Sequence, residues 1–496
     1  MSPKDFATEI VHALRQRGFQ AYLVGGCVRD LLLGREPADY DVATDATPEQ
    51  VMSIFPETFA VGAQFGVVLV PLPRDTGSAG VSPATSSDAN ESRRDAGAPS
   101  PQPGHAALAD DRRPTTDDHA AFGHHHAVEV ATFRSDVGYS DGRHPDAVRY
   151  TNSAQEDVQR RDFTINGLLM DPATGEVLDH VGGRRDLERG VIRTIGEPDL
   201  RFGEDKLRML RAIRFAARFD YWIEPKTQAA IQRLAPQIHQ VSCERIRDEL
   251  LKMLTEGHAA HAFKLLDQTG LLKELLPEVA AMKGVAQPPQ FHPEGDVWVH
   301  TLLLLEGLPP GCSRTLAMGA LLHDVGKPPT FRVAPDRIRF DGHVEVGEKI
   351  AQQICRRLRF SNDETEQICA LVEHHMRFAD ASRMKPSTLK RFFRLPRFAE
   401  HLEMHRLDCL ASHRDLSLYD FVRQRLAETP PEEIRPAPLV TGDDPIALGY
   451  RPGPAFKQIL SAAEDAQLEG RLTSKDEALA FVKREFPARD PHKSEC

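Results

Sequence analysis

Apolar and polar positions alternate in two short early stretches, FGVVLVPL (65 to 72) and AVEVATFR (127 to 134), both rich in β-branched residues. That period of two predicts half-buried strands. A third run, AYLVGG (21 to 26), ends in glycines and precedes CVRDLLLG (27 to 34), a short helix closed by Gly34. From about Arg160 the apolar spacing changes to three and four, as in LRMLRAIRFAARF (207 to 219) and ERIRDELLKMLTEG (244 to 257), which predicts a mainly helical remainder.

Two breaks divide that remainder. The Pro- and Gly-rich stretch GVAQPPQFHPEGD (284 to 296) precedes a His-rich helical region, and ETPPEEIRPAPLVTGDDP (428 to 445) introduces a short helical tail. The predicted domains are therefore 1–155, 156–285, 286–427 and 428–496, the first a mixed α/β unit and the others all-α. Residues 73–127 carry one Phe, one Leu and one Val among Pro, Gly, Ser, Ala, Asp, Arg and His. So little apolar surface does not offset the entropy of ordering, which predicts a disordered insertion between two neighbouring strands. The run His124, His125, His126 lies inside it and is assigned no function.

A chain of 496 residues with 41% hydrophobic content exceeds one ordinary core. Lys4, Asp5 and Glu9 occupy the place where a secretory signal would be apolar, and no run approaches a membrane span, so a cytoplasmic protein with no membrane partner is expected. Its seven cysteines are odd in number, scattered and never in C-x-x-C spacing, which fits neither a disulfide framework nor a thiolate zinc site. A net charge of -11 does not exclude a nucleic-acid partner, because binding needs only a local basic surface.

Gly25 and Gly26 allow close backbone approach to a ligand at the start of a helix, where N–H groups favour phosphate, with Arg29 one turn in. A plain packing turn is the other reading of that pair. In Asp39-Tyr40-Asp41, carboxylates at i and i+2 of an extended segment point to one face, where they can share divalent cations or simply mark a polar strand end. Two Mg²⁺ ions held there would activate an attacking hydroxyl and stabilise departing pyrophosphate.

Together these features form GGCVRDLLLGREPADYDVATDAT (25 to 47), followed by RRDFTINGLLMD (160 to 171), GEDKLRMLRAIRFAARF (203 to 219) and ERIRDELLKML (244 to 254). The set closely resembles the class II tRNA nucleotidyltransferase and bacterial poly(A) polymerase family over residues 20 to 260, apart from the insertion. The resemblance implies that Gly25 and Gly26 hold the triphosphate and that Asp39 and Asp41 bind Mg²⁺, with Glu129 the best-placed third carboxylate. It makes Arg161, Asp162 and Asn166 candidates for the sugar and triphosphate; Gly167 stands where the family usually has Ala.

Asp205 and Arg208 are three apart on a helix and therefore on one face, setting an acceptor beside a donor fork. Cytosine and adenine show an amino donor beside a ring-nitrogen acceptor, whereas uracil and guanine show a carbonyl beside an N–H, so the pair matches C and A. Outside the family context the same spacing is an ordinary surface ion pair. Arg211, Arg214 and Arg218 continue the stripe, and RMKPSTLKRFFRLPR (383 to 397) is a second basic segment; either is a candidate for tRNA phosphates or a solvated face.

His300, His323-Asp324 in LLHDVGKPP, and Asp408 follow the H…HD…D order of the HD phosphohydrolase superfamily, which this region resembles. A buried histidine is by default a satisfied core residue, but four spaced ligands and Lys327 point to a divalent transition metal or Mg²⁺. His343 and either His374 or His375 are candidates for a second metal position.

The expected function is addition of CCA to tRNA from CTP and ATP, with HD-domain hydrolysis of 2′,3′-cyclic phosphates or related tRNA ends. Poly(A) polymerases and CC-adding or A-adding enzymes share the matched motifs and stand as alternatives. An HD hydrolase whose N-terminal half only binds RNA is the alternative from another class. The sequence leaves oligomeric state open.

Overall fold

The computed structural model describes residues 1–59, 66–72, 127–139, 142, 145–290 and 292–487. The predicted insertion therefore lies outside the described residues except for Ala127, and His124 to His126 lie outside them too. The chain divides into two compact units, one up to Arg189 and one from Gly190 onward. Among the described residues no helix is long and apolar enough to cross a membrane. Six cysteines among them are unbridged.

The first unit is built on a mixed six-stranded sheet. Its strands are β1 (Ala21–Val24), β2 (Asp41–Thr44), β3 (Val67–Pro71) and β4 (Ala127–Thr132), and, beyond a separate hairpin of β5 (Arg134–Val137) and β6 (Ala147–Tyr150), β7 (Leu168–Met170) and β8 (Val177–Asp179). The order is β3-β4-β2-β1-β7-β8, with β2 and β4 parallel and the other pairs antiparallel.

Alternation explains why β3 and β4 form. Val68 and Val70, like Val128 and Val130, turn into the core, while Glu129 faces outward. The helix Pro3–Gln16 packs against β1 and β2 with Phe6, Ala7, Ile10, Val11 and Leu14, and Ser2 caps it by accepting the Asp5 N–H at 3.1 Å.

This unit runs past the boundary expected at residue 155. β7 completes the sheet by pairing with β1, Leu23 opposite Met170 and Val24 opposite Leu169. A strand of three residues, Leu-Leu-Met, is too short to declare a period, so it read as part of the helical remainder.

In the second unit the expected helices occur at Leu207–Phe219 and Cys243–Thr255, which pack together, followed by the His-rich helices Val297–Glu306, Arg314–Leu322, His343–Arg357, Asn362–His374 and Phe398–Ala411. The tail has its own small core of Val440, Ile459, Ala463, Phe481 and Val482. It docks through its acids on the helix Pro386–Phe393. Lys390 pairs with Glu433 at 2.9 Å, Arg391 with Glu464 and Asp465, and Arg394 with Glu464, while Ser387 donates to Glu469 at 2.9 Å.

The basic segment 383–397 is therefore not an open phosphate-binding face. Arg397 pairs with Asp363 and Arg383 with Asp380 as well. Within the segment itself there are only cations; apart from Asp380, their counter-charges sit 34 to 74 residues away.

Pro71 and Ala127 are directly opposite each other in the β3–β4 ladder, so a tight turn can join them. Replacing residues 73–126 with a four-residue Gly-Ser turn is expected to leave a folded protein melting within about 4 °C of the parent, since loop length enters closure entropy only logarithmically. Loss of the cooperative thermal transition would contradict this.

Candidate functional site

At the start of β2, Tyr40 turns into the core at 7% exposure, which leaves Asp39 and Asp41 on the opposite face. The parallel register sets Asp41 beside Glu129 of β4. Three carboxylates thus converge. Burial and the Glu129 carboxylate, with Asp39 adding to them, push the Asp41 carboxyl up to about 7 against the pull of Arg161. Such an acid cluster calls for cations, and all-oxygen ligation suits Mg²⁺.

Gly25 has φ +79°, where a side chain is strained, and an added Cβ would lie 3.2 Å from Arg161 Nη1. No side chain caps the helix Gly26–Leu32 that follows. Arg161 donates to Asp157 at 3.2 Å, and its Nε is buried without a hydrogen-bond partner. Arg29 does not reach out as expected. It is 4% exposed and donates to Asp30 Oδ1 at 2.8 Å and to Asn166 Oδ1 at 2.6 Å. Asn166 in turn donates to Asp162 Oδ1 at 3.0 Å. Asp30, Arg29, Asn166 and Asp162 form one buried network beneath the Gly25 turn, so Arg29 acts by holding Asn166.

In the second unit, Asp205 and Arg208 do not share a helical face. Asp205 is extended, with φ -147° and ψ 111°, between the helices Pro198–Glu204 and Leu207–Phe219. Its carboxylate accepts the Leu207 N–H at 2.9 Å, which starts the second helix, and takes a fork from Arg245 at 2.7 and 3.3 Å. Arg208 donates to Glu204 and to the Arg201 carbonyl. Arg245 lies inside the matched segment 244–254, yet spacing alone does not single it out. Arg214 is 6% exposed and bonded to Glu249 at 2.7 Å, so this guanidinium ties two helices together rather than facing solvent. Arg218 pairs with Glu256 at 3.5 Å, and Arg211 lies over the Phe215 ring.

The His-rich helices assemble a third cluster. Among the described residues three groups form within it, His300 with His323 and Asp408, Asp324 with His343 and His375, and His292 with Glu294 and His300. His300 Nε2 lies 3.2 Å from both His323 Nε2 and Asp408 Oδ1. Asp324 Oδ2 is 3.2 Å from His323 Nε2, while its Oδ1 is 3.7 Å from His375 Nε2 and 4.0 Å from His343 Nε2. Asp324 therefore spans the first two groups. Of the two adjacent candidates, His375 faces the cluster and His374 turns towards His401.

Gly326 explains part of this convergence. A Cβ there would sit 2.0 Å from the His343 carbonyl and 2.6 Å from the Gly347 nitrogen, so only glycine lets the helix His343–Arg357 meet the His323-Asp324 turn. Lys327 Nζ, three residues after Asp324, pairs with it at 2.7 Å and donates to Gln287 at 2.6 Å.

The donor set fits a divalent metal. His343 Nε2 and His375 Nε2 are buried without hydrogen-bond partners among the described residues. Burial lowers the His375 imidazole to about 4, keeping it neutral. Against its burial, His323 and Lys327 hold the Asp324 carboxyl well below the usual range. Neutral imidazoles and ionised carboxylates are the ligand forms a metal needs; His300, which Asp408 and Glu294 push up to about 9 against its burial, would give up its second proton on binding one. A cavity of about 730 Å³ opens on His343, His375 and Asp408, with Lys327, Arg337 and Arg339 also in its wall.

Residues 21–99 and 102–193 match the family described as Poly A polymerase head domain, and 220–283 match the probable RNA and SrmB-binding site of polymerase A. Residues 297–412 match the HD domain. These three matches give the chain a domain set similar to that of CCA-adding enzymes and poly(A) polymerases.

Among curated members, the CCA-adding enzyme of Geobacillus stearothermophilus is 38% identical over 269 residues, 54% of each chain. Poly(A) polymerase I of Haemophilus influenzae is 33% identical over 296 residues, 57% of this chain and 54% of its own. The chain spans about half the length of the curated relatives it matches. The crystal structure of the Bacillus stearothermophilus CCA-adding enzyme in complex with CTP is 26% identical, with a TM-score of 0.65 and 98% of both chains covered. The Thermotoga maritima CCA-adding enzyme complexed with tRNA shares the fold at 18% identity, with a TM-score of 0.53 and 98% of this chain and 96% of that one covered.

Repulsion among Asp39, Asp41 and Glu129 makes a stability prediction. In chelator at pH 8, Asp41→Asn is expected to stabilise the first unit by about 1 kcal/mol, raising its melting temperature about 2–4 °C. Saturating Mg²⁺ should raise the parent in the same direction and leave the variant unmoved. A variant that melts at or below the metal-free parent would show that the carboxylates do not strain one another.

Proposed function

We propose that this chain is a template-independent nucleotidyltransferase that adds C, C and A to the 3′ end of tRNA, using CTP and ATP. The observation that carries the proposal is the register that sets Asp41 against Glu129, with Asp39 on the same face, within the head-domain match. Mg²⁺ bound by these carboxylates would lower the pKa of the attacking hydroxyl and neutralise the departing pyrophosphate. The backbone N–H groups after Gly25 receive triphosphate oxygens, Arg161 supplies a cation beside them, and the network through Arg29, Asn166 and Asp162 keeps that turn rigid.

Base choice falls to Asp205 and Arg208. A carboxylate gripped by Arg245 still offers lone pairs to an exocyclic amino group, while an Arg208 N–H meets the ring nitrogen of cytosine or adenine. Arg245 then sets the angle at which Asp205 is presented. Arg245→Ala is expected to cut the preference for CTP and ATP over UTP and GTP roughly tenfold, because a misaligned edge loses about 1–3 kcal/mol of discrimination. Single-nucleotide incorporation with each triphosphate measures this; unchanged preference in an active variant would remove Arg245 from base choice.

The HD centre supports a second activity, hydrolysis of phosphate esters such as 2′,3′-cyclic phosphates at RNA ends. His300, His323, Asp324, Asp408, His343 and His375 would hold Mg²⁺ or a divalent transition metal, which would supply an activated water. Lys327 and the arginines in the cavity wall suit the phosphate. A poly(A) polymerase with the same core is the second reading, favoured by the likeness to Poly(A) polymerase I. An RNA-binding half without catalysis is disfavoured by the intact carboxylate cluster.

The deciding experiment supplies tRNA lacking CCA with CTP, ATP or both and sequences the ends. Asp41→Asn is expected to abolish addition and spare phosphohydrolysis, and Asp324→Asn to do the reverse, each by at least about 100-fold. Runs of A on the parent's product would favour the poly(A) reading. Loss of both activities from one substitution in a folded protein would end the claim of two independent centres.

A further inference from the structure

The loop entering the helix Val297–Glu306 carries His292 and Glu294, to which the sequence reading assigned no role. Three of the four imidazoles in the HD cluster are oriented by one device. His323, His343 and His375 each set Nδ1 against the carbonyl three residues earlier, Ala320 at 2.9 Å, Phe340 at 2.9 Å and Val372 at 2.7 Å. A carbonyl only accepts, so Nδ1 carries the proton and Nε2 turns its lone pair inward.

His300 is held differently. Its Nδ1 lies 2.7 Å from Glu294 Oε1, while its Nε2 meets His323 and Asp408. The same Glu294 oxygen lies 2.9 Å from Nδ1 of His292, whose ring lines the cavity above the cluster. The Glu294 side chain is 6% exposed, and its second oxygen is buried without a hydrogen-bond partner among the described residues. A carboxylate placed this way has no solvent role.

The geometry points to Glu294 as a positioning residue of the HD metal centre, one buried oxygen accepting the Nδ1–H of both His300 and His292. It thereby presents His300 Nε2 to the metal and His292 Nε2 to the substrate cavity. The inference rests on the proposed reading of this cluster as a metal site. An acceptor behind a ligating imidazole fixes its ring, and loss of such a partner weakens metal affinity roughly 10–100-fold.

The test is Mn²⁺ binding to the full chain, followed by electron paramagnetic resonance, in an Asp39→Asn, Asp41→Asn background that removes the other carboxylate cluster. In that background Glu294→Ala is expected to bind Mn²⁺ roughly 10–100-fold more weakly, with an unchanged cooperative melt for the metal-free protein. Glu294→Gln keeps an acceptor oxygen at the same reach and should stay within about fivefold of its parent. Glu294→Asp keeps the charge but shortens the reach by a methylene, and should fall with alanine; it carries the test if the alanine variant does not fold.

Unchanged affinity in Glu294→Ala would overturn the proposal. So would parental affinity in Glu294→Asp, or glutamine as weak as alanine, since either would make charge rather than placement the operative property. If the background protein binds no Mn²⁺, or keeps its binding after His323→Ala and Asp324→Ala, the metal-site reading itself has failed and the inference goes with it.

Discussion

The parallel pairing of β2 with β4 is the constraint on which the first unit turns. Side chains alternate with a period of two, so a slip of one residue would turn Glu129 into the core beside Val42 and turn Val128 and Val130 out of it. Burial of the valines therefore fixes the register, and the register assembles the carboxylates. Stability and chemistry pull in opposite directions at this point. Apolar packing holds together three like charges that repel, and a divalent cation bound among them would offset the repulsion.

The HD cluster solves the complementary problem. There imidazoles and carboxylates are brought together, mostly buried, at the edge of a cavity, which is costly for any polar group left unpaired. Backbone carbonyls at i−3 orient three rings at no expense in side chains, and Lys327 balances the charge of Asp324 from within the same turn. The two centres differ in how they tolerate an absent metal. The acid cluster destabilises itself, whereas the imidazole cluster keeps much of its hydrogen bonding, as His300 between Glu294 and Asp408 illustrates.

What the sequence made legible were features whose partners lie close along the chain. Gly25 and Gly26, the Asp39-Tyr40-Asp41 alternation, the flanking strands of the insertion and the His323-Asp324 pair all express local rules, and each is found in the expected element. Less legible were features decided by distant partners. Asp205 looked helical by spacing but is extended, with its carboxylate held in the fork of Arg245, 40 residues on. Arg214 looked like one more cation in a stripe, yet Glu249 draws it into the interface between two helices. No pattern separates His374 from His375, since the helix Asn362–His374 ends between them and only the packing decides which ring faces Asp324.

Charge shows the same division most sharply. Segment 383–397 has no acid of its own, and as an isolated string it reads as a surface for phosphates. In the fold, tail residues Glu433, Glu464 and Asp465 face its cations, with the tail's apolar core behind them. Exposed pairs of this kind contribute about 0–1 kcal/mol each, too little to hold a domain in place alone. Their effect is on specificity: they match the tail to one helix face, and they leave that face little net charge with which to attract an RNA backbone. A cationic sequence therefore defines a nucleic-acid surface only after its counter-charges in the fold are known. By that standard the cations around the HD cavity are partly committed too: Lys327 pairs with Asp324 at 2.7 Å and Arg339 with Asp336 at 2.8 Å, so a phosphate entering the cavity would have to share them.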